Sequence, residues 1–447
     1  MAFENIVLSK EEEQHIFPYK TVLIVLIIIR DIVDNYLDYR QYKRLSENRP
    51  LPKELVSLGF DQKKTEESNK YSKAKLQYQI INQFVSNILD LLLIYYNIFP
   101  LEVRYSQKLC TYIPLIHFNP ENEYGPLTFL IIIEIIREEI KSLPFEIYQT
   151  FVLEEKFGFN KTTMRTFIKD LIKSFVLQAI FLPIILCLLV FIIIKGGKYF
   201  YIFTEIFMFF LIFMFLWIYP NYIQPLFNKF KELEDGELKT GIFDLAKQVN
   251  YPLTKIFEMD ASERSSHSNA YLFGFGKNKR IVLFDTLIKS LSPKEIVAVL
   301  GHELGHWKKS HSIFNVIFVG CQCFILFYLL QFFVNEASVF VSFGFDQKST
   351  MMGLFLFFLL YSPISYYINL IQLFMTRQFE YQADRFACQL GHGENLKNSL
   401  AKIVETNKST LDPDPIFSMF NYTHPSIVER VKEINKYLEK ENNKKEN

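Results

Sequence analysis

The chain is short of the features that would tie it to disulfides, nucleic acid or secretion. Its five cysteines, Cys110, Cys187, Cys321, Cys323 and Cys388, are odd in number and scattered. No pair has the spacing of a disulfide framework or a cysteine zinc site, so they read as reduced packing residues. Charge is also scarce in the net: Lys and Arg almost balance Asp and Glu at +1, and no basic block is long enough for nucleic-acid binding. Residues 1–16 are polar and acidic (Glu11, Glu12, Glu13), without a basic stretch or a small-residue cleavage site, which argues against a cleaved signal peptide. What the 447 residues hold in excess is apolar: half are hydrophobic, with 46 Phe and 25 Tyr, too many for a soluble enzyme of this size.

The apolar excess lies in long runs. Spans are predicted at about 17–37, 79–99, 127–149, 176–195, 199–219, 313–334 and 351–375, giving seven. The linkers 100–126, 196–198 and 335–350 carry few basic residues, whereas 38–76, 150–175, 220–312 and the tail after 376 carry many. By the positive-inside rule the rich segments and the C-terminus face the cytosol and the N-terminus the lumen. Asp90, Glu134, Arg137, Glu138, Glu139 and Glu205 fall inside predicted spans. Ionisable groups at that depth face protein or trapped water, so these helices are expected to line a polar interior. The alternative is that some of them snorkel from helix ends.

One stretch carries chemistry: Val299-Leu-Gly-His302-Glu303-Leu-Gly-His306-Trp, containing His-Glu-x-x-His. Ser292-Pro293-Lys294-Glu295 is a capping box with proline at the first helical position, so a helix should begin there and run through both histidines. Two imidazoles four residues apart share a helical face and can hold one metal ion, with Glu303 beside it as general base for an activated water. A chance match is expected on the order of once in a hundred such chains. A third ligand is required, and Phe379-Glu380-Tyr-Gln-Ala-Asp384 offers Glu380, with Asp384 one turn on to orient a ligand histidine. On spacing alone this is equally a solvated acidic pair. Residues 256–261 and 280–285 read as two strands of a hairpin joined by a Ser- and Gly-rich connection, beside which an extended peptide could pair. His424 precedes a proline at a helix start, where it is either structural or a donor to an oxyanion.

The sequence resembles the zinc-dependent type I CAAX prenyl proteases, integral membrane metalloproteases related to bacterial HtpX-type enzymes. The resemblance is carried by Ser142-Leu-Pro-Phe, Glu154-Glu-Lys-Phe-Gly-Phe-Asn-Lys, Pro225-Leu-Phe-Asn-Lys-Phe, His267-Ser-Asn-Ala-Tyr, Gly301-His-Glu-Leu-Gly-His-Trp, Glu380-Tyr-Gln-Ala-Asp and His424-Pro. It implies a mostly α fold: a polytopic membrane protein whose seven transmembrane helices enclose a polar chamber, closed by a cytosolic gluzincin-like zinc protease domain with a small β-hairpin or sheet. The expected division is 1–222 N-terminal membrane region, 223–312 first part of the protease domain, 313–375 the last two spans, 376–440 second part of the protease domain and 441–447 a basic tail. The resemblance further implies one zinc ion on His302, His306 and Glu380, Glu303 and His424 as catalytic groups, Asp384 behind a ligand ring, and Asn269 and Arg430 on the substrate.

The expected activity is removal of the last three residues of prenylated CAAX proteins, with a second cut nearer the substrate's N-terminus in some members. A membrane quality-control protease acting on unprenylated polypeptides is the alternative, and a silent membrane scaffold is the rival outside enzymes. The expected setting is a monomer in the endoplasmic reticulum membrane, with the inner nuclear membrane as a second location and no nucleic-acid partner. Lys444-Lys-Glu-Asn has the form of a dilysine retrieval signal or is a solvated tail.

Overall fold

The structure is a computed structural model that describes residues 3–10, 16–112, 122–276 and 278–446. The acidic Glu11–Glu13 stretch and the terminal Asn447 of the tail lie outside the described residues.

Long helices dominate: α1 (Tyr19–Ser46), α2 (Gln62–Tyr95), α3 (Ile98–Tyr112), α4 (Tyr124–Tyr148), α5 (Met164–Gly196) and α6 (Phe200–Ile218), of which α3 falls mostly in what the sequence reads as the linker 100–126. A sheet region follows, with β1 (Phe230–Glu232), α7 (Glu237–Val249), β2 (Leu253–Met259), β3 (Ala270–Phe275) and β4 (Asn278–Phe284). Then come α8 (Pro293–Lys308), α9 (His311–Phe333), α10 (Thr350–Gln389), α11 (Gly393–Thr406), α12 (Pro415–Asn421) and α13 (Ile427–Glu446). Each predicted span overlaps a long helix, and the one at 79–99 runs past the end of α2 into the start of α3. Three stretches, Met164–Leu226, His311–Phe333 and Thr350–Gln389, are long and apolar enough to cross a membrane by themselves, and the first contains both α5 and α6. The bent pair α2 and α3, at 72°, passes the same test jointly. The chain turns there at Asn97, whose φ is 54°.

Several helices outrun their apolar stretch. Hydropathy marks where a helix meets lipid, whereas the backbone continues wherever its next turn finds a partner. α10 is the case that matters: 40 residues at 1.5 Å each make a rod of about 60 Å. Its N-terminus is fixed by Glu123, only 2% exposed, whose carboxylate accepts the N–H groups of Thr350 and Met351 at 3.0 and 2.6 Å. That satisfies two orphan donors of the helix end and sets a negative charge at its positive pole.

Most of the charged residues predicted inside the spans have polar partners, whereas Glu205 Oε2 is buried with no hydrogen-bond partner among the described residues. Arg137 bonds Glu102 at 2.6 and 2.7 Å and also meets Glu134, Lys141 bonds Asp90 at 3.0 Å, and Gln178 bonds Glu139 at 3.3 Å. Such pairing lets helices carry charge at membrane depth. A cavity of about 230 Å³ bordered by Arg30, Asp90, Glu134 and Arg137 shares Arg30 and Asn87 with one of about 340 Å³. The latter shares Asn421 with a cavity of about 700 Å³ that reaches His302. Polar and charged side chains thus border cavities among these helices, in line with the expected polar interior.

The sheet corrects one expectation. Residues 256–261 and 280–285 do not form a hairpin: β2 and β4 run parallel, Ile256 opposite Ile281 and Glu258 opposite Leu283. The hairpin is β3 with β4, and the strand order is β1-β2-β4-β3. β3 lay hidden in the stretch read as a connection, because Ser and Gly flank its apolar core. Its twist closes at Gly274, with φ of +113°, where a Cβ would stand 2.1 Å from the carbonyl oxygen of Asn278. Ile256, Ile281 and Leu283 from the sheet pack on Leu287, Leu300 and Leu304, all fully buried. At roughly 2 kcal/mol for each side chain removed from water, this core fixes α8 on the sheet. β3 stays an open edge beside it.

Candidate metal centre

α8 starts as the sequence predicts. Ser292 N–H and Oγ both reach Glu295 Oε2 at 2.8 Å, and Lys402 holds the same carboxylate. Two turns on, His302 and His306 point the same way, their Nε2 atoms 3.2 Å apart. α10 supplies the third group: Glu380 Oε1 lies 3.2 Å from His306 Nε2 and Oε2 lies 3.4 Å from His302 Nε2. The two helices meet closely because Gly305 leaves room; a Cβ there would stand 2.9 Å from Cα of Ala383.

Behind the three converging side chains the hydrogen bonds fix which ring atoms face forward. His302 Nδ1 donates to Asp384 Oδ1 at 2.8 Å, which turns Nε2 toward Glu380 as the atom a metal would take. Asp384, 1% exposed, receives Arg430 Nη2 at 2.6 Å and Nε at 2.9 Å, a two-pronged buried ion pair. Arg430 is thus spent on Asp384, with Nη1 3.7 Å from Glu380. Its side chain also lines the 700 Å³ cavity. His306 is backed by His311, Nδ1 to Nδ1 at 3.0 Å, and His311 reaches Gln382 Oε1 through Nε2 at 3.2 Å while stacking on Phe379 at 4.2 Å.

His311 and Gln382 were missed from sequence. Both act through another side chain, and the one available signal was a further histidine just after the motif, itself only 2% exposed.

The residues fit a cation. Two imidazole nitrogens and a carboxylate converge with a ligand atom each inside 4.8 Å. Glu380 Oε2 is buried and sits 2.7 Å from His424 Nδ1, off the line of a hydrogen bond. Burial and Arg430 both oppose a charge on His302, yet the bonds to Asp384 and Glu380 outweigh them and lift the ring to about 9. The site therefore draws positive charge to this point, and two nitrogens with one carboxylate oxygen are the donor set of catalytic zinc.

Glu303, Asn269 and His424 line the same 700 Å³ cavity as His302, Glu380 and Arg430. All eight residues singled out from sequence are thus gathered at one place, Asp384 and His306 directly behind or beside the cavity wall. Asn269 stands just before the open edge strand β3, its Oδ1 now receiving the Ala270 N–H at 2.8 Å.

Comparison with known proteins finds relatives along nearly the whole chain. Residues 41–229 match the family model described as CAAX prenyl protease N-terminal, five membrane helices, and residues 232–438 match peptidase family M48. The chain is similar to CAAX prenyl protease 1 homolog of Arabidopsis thaliana, 40% identical over 93% of this chain and 97% of the relative. It is 37% identical to CAAX prenyl protease 1 of Saccharomyces cerevisiae over 95% and 97%, and 34% identical to the Homo sapiens homolog over 90% and 92%. The crystal structure of S. mikatae Ste24p superposes with a TM-score of 0.88 at 35% identity, covering 94% of this chain and 99% of that one.

Proposed function

The chain belongs to the CAAX prenyl proteases of peptidase family M48, and from that premise we propose that it is a zinc endopeptidase that removes the last three residues of prenylated CAAX proteins. The observation that carries this reading is the convergence of His302, His306 and Glu380 on one point at the wall of a cavity. Zinc bound there would supply Lewis acidity to a water and to the scissile carbonyl.

The protein's own residues do the rest. The substrate backbone pairs with the free edge of β3 near Asn269, which holds the reacting bond in register. Glu303 takes the proton of the attacking water and returns it to the departing amine. His424 donates a hydrogen bond to the oxyanion as it forms. Asp384 and Arg430 keep His302 turned so that Nε2 faces forward, and His311 does the same for His306.

The isoprenoid lies among the apolar side chains of the cavity, Leu45, Leu76 and Phe417 among them. Seven spans, with the N-terminus lumenal and the C-terminus cytosolic in the endoplasmic reticulum membrane, fit the distribution of basic residues, and the protein acts as a monomer. Comparing one peptide with and without its isoprenoid tests the reading. A large preference for the prenylated form is expected; equal rates would favour the quality-control alternative.

A further inference from the structure

The 700 Å³ cavity has a second charged end that the chemistry above leaves unused. Lys75, Lys408 and His267 line it. Lys408 Nζ donates to the carbonyl of Phe157 at 3.1 Å and lies over the Phe159 ring at 5.4 Å, while Lys75 Nζ lies 5.8 Å from the Tyr71 ring. Among the described residues neither ammonium is ion-paired. Glu154 is the carboxylate nearby, and it is engaged by the Tyr71 hydroxyl at 2.8 and 3.0 Å and approached by His267 at 3.8 Å. Two ammonium groups against one occupied carboxylate leave this end net positive.

Lys408 also stands where a lysine is disfavoured. Its φ is +47°, a left-handed conformation that glycine or asparagine ordinarily takes. The turn is held by its neighbours: Asn407 Oδ1 accepts the Ser268 N–H at 3.1 Å, and Thr410 bonds Ser72 at 2.9 Å. This left-handed turn is the Schellman cap that ends α11, with the Lys408 N–H on the Glu405 carbonyl at 3.1 Å and the Ser409 N–H on the Val404 carbonyl at 3.0 Å, so the helix end fixes where the lysine stands at the cavity wall. Asn407 moreover ties this turn to the very segment that leads into β3.

Strand direction agrees with charge. His267, Ser268, Asn269 and Ala270 line the cavity. A peptide laid antiparallel to β3 runs from Ala270 toward His267, so the residues after the cut bond pass Ser268 and His267. Three extended residues cover roughly 10 Å, and beyond His267 the chain end enters the part of the cavity that Lys75 and Lys408 line.

We propose that Lys408, with Lys75 and His267, binds the C-terminal carboxylate of the substrate, and so sets the cut three residues from the chain end. This rests on the prenyl protease reading above. It makes these residues determinants of specificity at a place distinct from the metal ligands.

The test uses full-length, zinc-loaded protein in detergent and two prenylated peptides that differ only in a free C-terminal acid or a carboxamide. Wild type is expected to prefer the acid by roughly ten- to a hundredfold in kcat/KM, the worth of a charge-assisted hydrogen bond, mostly through KM. In Lys408→Gly that ratio is expected to fall toward one with no loss of Tm, because glycine suits the left-handed backbone. Lys408→Arg should keep it. If Lys408→Gly folds poorly, Lys75→Met reads the same ratio. Equal cleavage of acid and amide by wild type, or an unchanged ratio in the variants, overturns the carboxylate site and leaves the protease reading standing. Cleavage of neither peptide overturns both.

Discussion

Replacing Asp384 by asparagine keeps the shape of the side chain and removes its charge. Asp384 accepts three bonds, from His302 Nδ1 at 2.8 Å and from Arg430 at 2.6 and 2.9 Å, inside a site where Arg430 is 9% exposed. The amide offers one acceptor and turns an NH₂ group toward a donor, so Arg430 loses its counter-charge and His302 its orienting partner. Breaking a buried pair from one side costs about 3–5 kcal/mol of stability. Loosening a ligand histidine costs roughly ten- to a hundredfold in metal affinity.

The two losses separate in the double variant Asp384→Asn/Arg430→Met. Stability should partly recover, by at least ~1 kcal/mol relative to the sum of the single changes, because no charge is left uncompensated. Metal affinity should not recover, because His302 still lacks its partner. Thermal unfolding in detergent and titration against a zinc-buffering chelator read the two quantities. Additive stabilities together with wild-type metal affinity in Asp384→Asn would refute the orienting role of this pair.

Three further outcomes follow from the site. Glu303→Gln should keep one metal ion per chain and lose hydrolysis by about 10²–10⁴-fold, the usual share of a general base, as read by metal analysis beside a turnover assay. Gly305→Ala sets a Cβ against Ala383 and should lower stability by about 1–3 kcal/mol while weakening metal binding, since α8 and α10 must part. His311→Ala frees the far side of His306 and should weaken metal binding by about tenfold or more with little change in the peptide KM.

The parts of this protein that sequence discloses are those whose signal is local. The capping box, the paired histidines of α8 and the apolar runs each stand within one element, and the structure places a helix at every one. Glu380 is 74 residues beyond His306, and the same spacing that offers it as a ligand also describes a solvated pair. The approach of α10 to α8 across Gly305, a tertiary fact, separates the two. His311 and Gln382 stayed hidden for the same reason, because each acts on the metal site through another ring.

The sheet was misjudged on different grounds. Strand periodicity locates β2 and β4 but says nothing of their relative direction, and the Ser- and Gly-rich flanks of β3 masked the strand that lies between them in sequence. Hydropathy likewise marks the lipid-facing part of α10 and not the further turns that carry Glu380 and Asp384 out to the site.

The most direct measurement is metal content and turnover of the same preparations of wild type and Glu380→Ala. Wild type should hold one zinc ion per chain and cut a prenylated C-terminal peptide, with activity lost to a chelator and restored by zinc. Glu380→Ala should lose both the ion and the cleavage. A Glu380→Ala protein that keeps a full complement of metal and wild-type turnover would contradict the assignment of His302, His306 and Glu380 as one metal centre.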